Sequence, residues 1–326
     1  MRLLQRLGFR RLNNWEPPTL LDSLLSSPLH FLLAHIYTLI LLLRGAPFHP
    51  PKDKTPIRIV CLSDTHDLIP QNVPDGELLI HAGDLTNAGT AEDIQAQIDW
   101  LASLPHRHKV LIAGNHDSWF DVRSRKSDDK RNARRPDFKG LQYLQNSSVS
   151  LDFPDARKLI VYGAADLPVC GGDDNAFQYQ PDRHPWKGRI PMDTDVLVTH
   201  TPPKFHRDLG LGCPGLLEEV WRVKPKLHVF GHVHWGCGQE SVYFDECQRA
   251  YETFMSKAPR GPILDFIPNS DWIEAIKVMY YGLNAILFKY LMLGPGSNNA
   301  SLMVNAGCMY GNTKKLRKNA FQIVEL

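Results

Sequence analysis

No CxxC pair occurs among the six cysteines, Cys61, Cys170, Cys213, Cys237, Cys247 and Cys308, which are scattered along 326 residues. That spacing excludes a disulfide framework and points to a reducing compartment, on the cytoplasmic side if the chain meets a membrane. Excess charge of one sign is also missing. Lys plus Arg is 37 and Asp plus Glu is 35, a formal charge of +2, so no nucleic-acid partner is expected. Internal repeats and low-complexity tracts are absent. With 43% hydrophobic and 22% charged residues, the composition excludes a disordered or collagen-like chain. A cleaved secretory signal is not expected either, because the first apolar stretch starts late and does not end in small residues. Proline is plentiful, 24 residues, and predicts many loops. The length is about twice that of a typical domain, so one large or two small domains are expected.

The first fifty residues differ from the rest. Arg2, Arg6, Arg10 and Arg11 precede an uncharged stretch, 23–43, whose apolar heart is 29–43; Arg44 closes it, and Pro47, Pro50 and Pro51 read as a linker. The expected organisation is an N-terminal basic and hydrophobic segment, 1–50, followed by one domain over 51–326. A membrane-spanning helix needs about 20 mostly apolar residues, and Pro28, His30 and His35 interrupt this one. Three readings stay open: a short or interfacial membrane anchor, a targeting segment, or a helix packed on the domain.

From residue 57 onwards, short apolar runs alternate with turn residues and helical patterns, which is the signature of an α/β fold. The run 57–62 enters SDTHD, 77–80 enters HAGD and 109–112 enters AGNHD; 196–198 enters TH and 227–230 enters GHVH. Ile94, Ile98 and Leu101 are spaced for one helix face. Strands thus deliver polar residues at their carboxyl ends, where α/β sheets place ligand sites.

Two regions break this rhythm. The charge run 122–139 reads as a solvated loop, with a basic recognition loop as the alternative. A long insertion spans about 240–300. Within it, 272–293 carries the stripe Ile273, Ile276, Tyr280, Leu283, Leu287 and Leu291, broken by Glu274, Lys277 and Lys289. The expectation is a helix whose stripe covers the domain; the alternative is a helix lying in a membrane interface.

The residues that carry chemistry follow the strands in order: Asp64 and His66, Asp84, Asn115 and His116, His200, then His232 and His234. Singly, such an Asp is a common turn or cap residue and such a His a satisfied polar group. Together they are a metal site. Carboxylate oxygen and imidazole nitrogen suit Mn²⁺, Fe or Zn²⁺ rather than an all-oxygen Ca²⁺ or an all-thiolate site. On an extended segment, alternation would bring Asp64 and His66 to one side, and likewise His232 and His234. Gly83, Gly114 and Gly231 precede ligands, where the backbone must approach closely. Eight such groups exceed one ion and suit two ions sharing a carboxylate.

In order and spacing, Asp64-x-His66, Gly83-Asp84, Gly114-Asn115-His116-Asp117, His200 and Gly231-His232-x-His234 resemble the motif set of the calcineurin-like metallophosphoesterase superfamily. The resemblance covers 57–239 and resumes in the closing SLMVNAGC and AFQIVEL strings. The fuller strings SDTHD, HAGDLTNAG, THTPP, HVFGHVHWGCG and VNAGC look most like the small metallophosphoesterase domain-containing subfamily. It implies a four-layer α/β/β/α sandwich of two mixed sheets and two divalent metal ions. By that resemblance, Asp64, His66 and His234 hold the first ion, Asp84 bridges, and Asn115, His200 and His232 hold the second. His116 is not a ligand; it stabilises the transition state and protonates the leaving oxygen, while a metal-bridging hydroxide attacks in line.

Three departures from one branch are informative. The protein phosphatase branch has an acidic residue three positions after the bridging Asp, pairing with the catalytic His, and then an Arg. Here those positions hold Asn87 and Ala88, and the second His of GHxH, which that branch lacks, is present as His234. A doubly charged monoester is the substrate that most needs the missing guanidinium. The expected substrate is therefore a small phosphodiester or nucleotide. The alternative function is a catalytically weak binding or scaffold protein of the same fold, tethered to a membrane. Expected partners are a small phosphorylated substrate and a membrane, the latter through 29–43 and 272–293.

Overall fold

The computed structural model describes residues 4–5, 8–132, 135–292, 299–311 and 313–326; Arg2, Arg6 and Leu293 lie outside them. The chain forms two compact units.

The larger unit comprises 49–240 and 302–326. Its first sheet contains β1 (Arg58–Leu62), β2 (Leu78–Ala82), β3 (His108–Ile112), β4 (Gln142–Tyr143) and β13 (Gln322–Glu325) in the order β13-β1-β2-β3-β4. Only β13 runs antiparallel to its neighbour; the rest are parallel. Every residue of β2 is buried, as expected of a central parallel strand covered on both faces. The second sheet contains β5 (Ser147–Phe153), β6 (Arg157–Ala164), β9 (Val196–Thr199), β10 (Leu227–Phe230), β11 (Gly238–Tyr243) and β12 (Ala300–Asn305), in the order β11-β12-β10-β9-β6-β5. Strands β6, β9, β10 and β12 are parallel, and β5 folds back antiparallel onto β6. The short strands β7 (Leu167–Pro168) and β8 (Gln178–Tyr179) pair separately.

The sheets meet face to face. A Cβ on Gly163 of β6 would sit 2.7 Å from Ile112 Cγ2 of β3. Helix α3 (Ala91–Ser103) covers the outer side of the first sheet. Thr90 caps it by accepting from Asp93 N, Glu92 and Asp93 lie in the first turn, and Ile94, Ile98 and Leu101 are buried as their spacing predicts. Leu101 joins Val60, Leu62, Leu79 and Leu111 in one cluster. Helix α5 (Pro214–Val223) buries Leu216, Val220 and Val223. The result is the expected four-layer α/β/β/α arrangement of two mixed sheets.

The charge run 122–139 is not all loop. It contains a short helix, α4 (Ser127–Asn132), with Asp128 and Asp129 in its first turn and Lys130 and Arg131 in its last. That distribution complements the helix dipole.

The smaller unit joins 1–48 to 241–301. Helices α1 (Leu20–Ser26), α2 (Pro28–Arg44), α6 (Glu246–Met255), α7 (Gly261–Leu264) and α8 (Asp271–Met292) build it. Thr19 and Asp22 cap α1 reciprocally. Leu33, Tyr37 and Ile40 of α2 pack with Cys247, Ala250, Tyr251 and Phe254 of α6 and with Ala275 and Val278 of α8. The stripe expected to cover the domain does not do so. Ile273, Ile276, Tyr280, Leu283, Leu287 and Leu291 are all exposed, while the small residues Ala275, Val278 and Gly282 are buried. Close helix packing selects the small side: a Cβ on Gly282 would collide with Ile40. Among the described residues no single helix is long and apolar enough to cross a membrane. The pair α1 and α2 reaches that length and composition only together, and is bent by 117°.

Candidate metal centre

Loops at the carboxyl ends of β1, β2, β3, β9 and β10 carry the site. They do not carry it as extended segments. Asp64, His66, Asp84 and His232 have φ of 57°, 46°, 54° and 65°, and His234 opens a 3-10 turn. Non-glycine residues avoid this left-handed region, and such strain collects at functional sites. Alternation along a strand therefore does not bring Asp64 to His66; tight left-handed turns do, and His232 and His234 fall in separate donor groups. Backbone hydrogen bonds hold them: Asp64 N donates to Gly83 O at 2.9 Å, and His66 N donates to Asp84 O at 3.1 Å. His232 N donates to both carboxylate oxygens of Asp64, at 3.0 and 3.1 Å.

The glycines before ligands serve close approach, as expected. A Cβ on Gly231 would collide with Ser63 Oγ and Asp64 Oδ2, and one on Gly114 would collide with the Asp84 carboxylate.

All eight positions expected from the sequence come together around Asp84. Its Oδ2 lies 3.6 Å from His66 Nε2 and 3.3 Å from His200 Nε2, and its Oδ1 accepts from His116 N at 2.8 Å. On one side, His66 Nε2 faces His234 Nε2 at 3.3 Å, and His234 Nε2 is 3.5 Å from Asp64 Oδ1. On the other, His200 Nε2 lies 3.1 Å from Asn115 Oδ1. Three groups of donor atoms are close enough to share an ion: Asp64, His66 and His234; Asp84, His200 and His232; and His66, Asp84 and His116.

Two imidazoles are turned inward by carbonyls behind them. His200 Nδ1 donates to Ala82 O at 2.9 Å, and His234 Nδ1 donates to Gly311 O at 2.8 Å. Each ring then presents Nε2 to the centre, the usual way a metal-binding histidine is oriented. Asn115 is fixed similarly: its Nδ2 donates to Asn175 Oδ1 at 2.8 Å, which leaves Oδ1 for the centre.

The electrostatics call for positive charge. Burial opposes ionisation of Asp64, but the hydrogen bond and charge of His234 and the charge of His200 outweigh it and hold its pKa at about 2. Burial is likewise outweighed at Asp84, chiefly by His200, and its carboxyl stays well below the usual range. Burial alone would depress His200, yet the charge and hydrogen bond of Asp84 lift it to about 9. His232, dominated by burial and then by the charge of His200, is pushed down to about 3. Two buried carboxylates that draw protons onto neighbouring imidazoles are a fitting seat for cations. The mixed oxygen and nitrogen donors match Mn²⁺, Fe or Zn²⁺.

His116 sits partly exposed beside this group, its ring edge-on to His66 with centroids 4.9 Å apart. Its Nδ1 is 3.2 Å from Asn87 O. The partner is thus a backbone carbonyl and not the Asn87 side chain, whose Nδ2 donates to His66 O and to Asp67 Oδ2, both at 2.8 Å.

Residues 57–236 match the calcineurin-like phosphoesterase family, more than half of the chain. The chain belongs to the calcineurin-like phosphoesterase family. It is 42% identical over 268 residues to "Probable rhamnogalacturonate lyase C" of Emericella nidulans, covering 81% of this chain and 24% of that protein. It is 35% identical over 217 residues to Metallophosphoesterase domain-containing protein 1 of Homo sapiens, covering 59% of this chain and 65% of that protein. A UPF0046 protein of Caenorhabditis elegans is 36% identical over 203 residues, covering 57% and 66%. The chain therefore spans about a quarter of the first relative and about two thirds of the other two. Calcineurin-like phosphoesterases use divalent metal ions, and the donor groups of this chain fit them.

Three further residues hold this phosphoesterase centre, and the motifs assign a role to none of them. Asp117 is fully buried and accepts from Leu85 N (3.1 Å), Thr86 N (3.0 Å), Thr86 Oγ1 (2.9 Å) and Gly114 N (2.8 Å). It ties the loop after β2 to the loop after β3. Burial, followed by the charge of Asp84, raises its pKa to about 6. Asn175 holds Asn115. Asn305 Nδ2 donates to Val233 O at 3.0 Å and its Oδ1 accepts from Gly307 N at 3.1 Å. The strings GNHD and VNAGC contain Asp117 and Asn305; nothing in the sequence points to Asn175.

Proposed function

We propose that this chain is a metal-dependent phosphoric ester hydrolase acting on a small phosphodiester or nucleotide. The observation that carries this reading is the sharing of one carboxylate. Asp84 Oδ2 stands between His66, on the Asp64 and His234 side, and His200, on the Asn115 and His232 side. Asp64, His66 and His234 would hold one cation, Asn115, His200 and His232 the other, and Asp84 both. The pair, when bound, supplies Lewis-acid neutralisation of the phosphate and a water acidic enough to attack at neutral pH.

The chain's own residues do the rest. His116 donates a proton to the leaving oxygen as its bond to phosphorus breaks, and regains a proton from solvent. Because Nδ1 pairs with Asn87 O, Nδ1 carries a proton and Nε2 is the atom available for transfer. Asn87 and Ala88 leave this rim without the acidic residue and the guanidinium that suit a dianionic monoester. A diester carries one charge fewer and needs neither. Asn175 also lines a polar cavity of about 240 Å³ with Asp121, Arg123, Ser124, Asp173 and Gln178, which offers room for an uncharged substituent of the ester beside Asn115.

Metal analysis combined with Mn²⁺-dependent hydrolysis of a panel of diesters, nucleotides and monoesters tests the reading. Asp84→Asn is expected to lose paired metal and turnover while keeping its fold. Near-normal turnover in that variant, or preference in the wild type for non-nucleotide monoesters over both diesters and nucleotides, would overturn it.

A further inference from the structure

The smaller unit exposes an apolar surface that its own packing does not use. On α8, Ile273, Ile276, Tyr280, Leu283, Leu287 and Leu291 are each 45–75% exposed. On α2, Leu32, Leu39, Leu42 and Leu43 are 41–72% exposed, and in α7 and the segment after it Ile263, Leu264, Phe266 and Ile267 are 50–78% exposed. The two long helices lie side by side. Gly282 abuts Ile40, Lys289 Nζ donates to Leu43 O at 3.2 Å, and Tyr290 Oη donates to the same carbonyl at 3.1 Å. Soluble monomers rarely leave apolar patches beyond a few hundred Å² uncovered.

We propose that this face binds a lipid bilayer in its interfacial plane, without crossing it, and favours anionic headgroups. Three observations select lipid over another protein. Among the described residues, the fully exposed positions of α8 include one charge, Lys277, paired to partly exposed Glu274, and one amide, Asn284, over a length of roughly 30 Å. A protein interface would pair its apolar centre with a polar rim and hydrogen bonds, whereas hydrocarbon asks for none. Tyr280 and Tyr290 are the amphipathic residues that favour a membrane boundary. The charges at the border are complementary to anionic lipid. Exposed Lys257 and partly exposed Arg260 precede the apolar 263–267 segment. Of the acids on this unit, buried Asp265 accepts from the Ser27 hydroxyl and from Leu29 N, Glu274 pairs with Lys277 at 2.8 Å, partly exposed Asp271 accepts from Asn269 Nδ2 at 2.9 Å, and Glu246 is exposed. Aromatic and aliphatic residues on one face with basic residues at its edge are the pattern of an interfacial helix.

The test is flotation of the full chain with phosphatidylcholine vesicles, with and without phosphatidylserine, at low and high salt. Wild type is expected to float with both, more strongly with phosphatidylserine, and less so at high salt. The triple change Ile276→Glu, Leu283→Glu and Leu287→Glu touches only exposed positions and should lower the partition on the order of 100-fold, with an unchanged far-UV spectrum. The pair Leu39→Glu and Leu42→Glu on α2 should act in the same direction and guards against a folding defect peculiar to α8. A wild type that floats with neither vesicle overturns the proposal, as does flotation unchanged in both variants. A wild-type dimer in lipid-free solution that both variants dissociate would assign the face to a second copy instead.

Discussion

Replacing His116 by alanine separates two roles that the geometry allows. As a proton donor, its value depends on how badly the leaving oxygen needs a proton. General acid catalysis is worth about 10²–10⁴-fold, equivalent to about 3–5 kcal/mol of barrier at 1.36 kcal/mol per decade. An alkyl or nucleoside alkoxide needs that help, whereas nitrophenolate leaves unaided. His116→Ala is therefore expected to lose most of the factor on alkyl and nucleotide diesters and little of it on nitrophenyl diesters. His116 N remains to donate to Asp84 Oδ1, since that 2.8 Å bond is made by the backbone, so the bridging carboxylate should hold its place and metal content should be unchanged. Asn87→Ala is the internal control. It removes the side-chain bonds to His66 O and Asp67 but keeps the carbonyl that faces His116 Nδ1, so the difference between the two substrate classes should match wild type. The assay is kcat/KM on both classes at matched metal occupancy. Equal losses on the two classes in His116→Ala would refute proton donation and leave a positioning role; loss of metal would make His116 a ligand, as its place within reach of Asp84 and His66 permits.

Two further outcomes follow from burial. Asp117→Ala strips four hydrogen-bond donors of their acceptor, the hydroxyl and backbone N of Thr86 with Leu85 N and Gly114 N. A buried donor left unsatisfied costs about 1–3 kcal/mol, so stability measured by urea unfolding should fall by at least ~3 kcal/mol with weakened metal binding; an unchanged urea midpoint would sink the clamp. His228 is fully buried, which pushes its pKa down to about 3 from 6.5. The unfolded imidazole takes up a proton below pH 6.5 while the folded one stays neutral to about pH 3, so stability present above pH 6.5 is lost as pH falls, about 1.4 kcal/mol per unit and roughly 2 kcal/mol by pH 5. His228→Gln should flatten that slope by one proton in unfolding titrations; parallel curves for the two proteins would exclude the assignment.

The order of strands and ligands was legible in the sequence because each functional side chain directly follows a buried apolar run. Asp64, Asp84, Asn115, His200 and His232 announce themselves by type and by what precedes them, and an α/β sheet gathers strand ends at one edge whatever its detailed register. Gly114 and Gly231 were equally legible, since a backbone that closes on a ligand carboxylate has no room for a Cβ. Conformation was not. The left-handed φ at Asp64, His66, Asp84 and His232 belongs to residues that avoid it in isolation; surrounding hydrogen bonds impose it, and no local propensity reports it. The partner of His116 was hidden for a related reason. It is a carbonyl, which every residue carries, so the identity of Asn87 says nothing about it. Periodicity likewise pointed to a helix over 272–293, described from Asp271 to Met292, but not to which side faces inward. An apolar stripe reads the same turned in or out, and here the small face of α8, Ala275, Val278 and Gly282, won the contact with α2 and α6. That choice, and the joining of 1–48 to 241–301 across almost two hundred residues, depends on the shape of a partner surface. Only the tertiary structure supplies one.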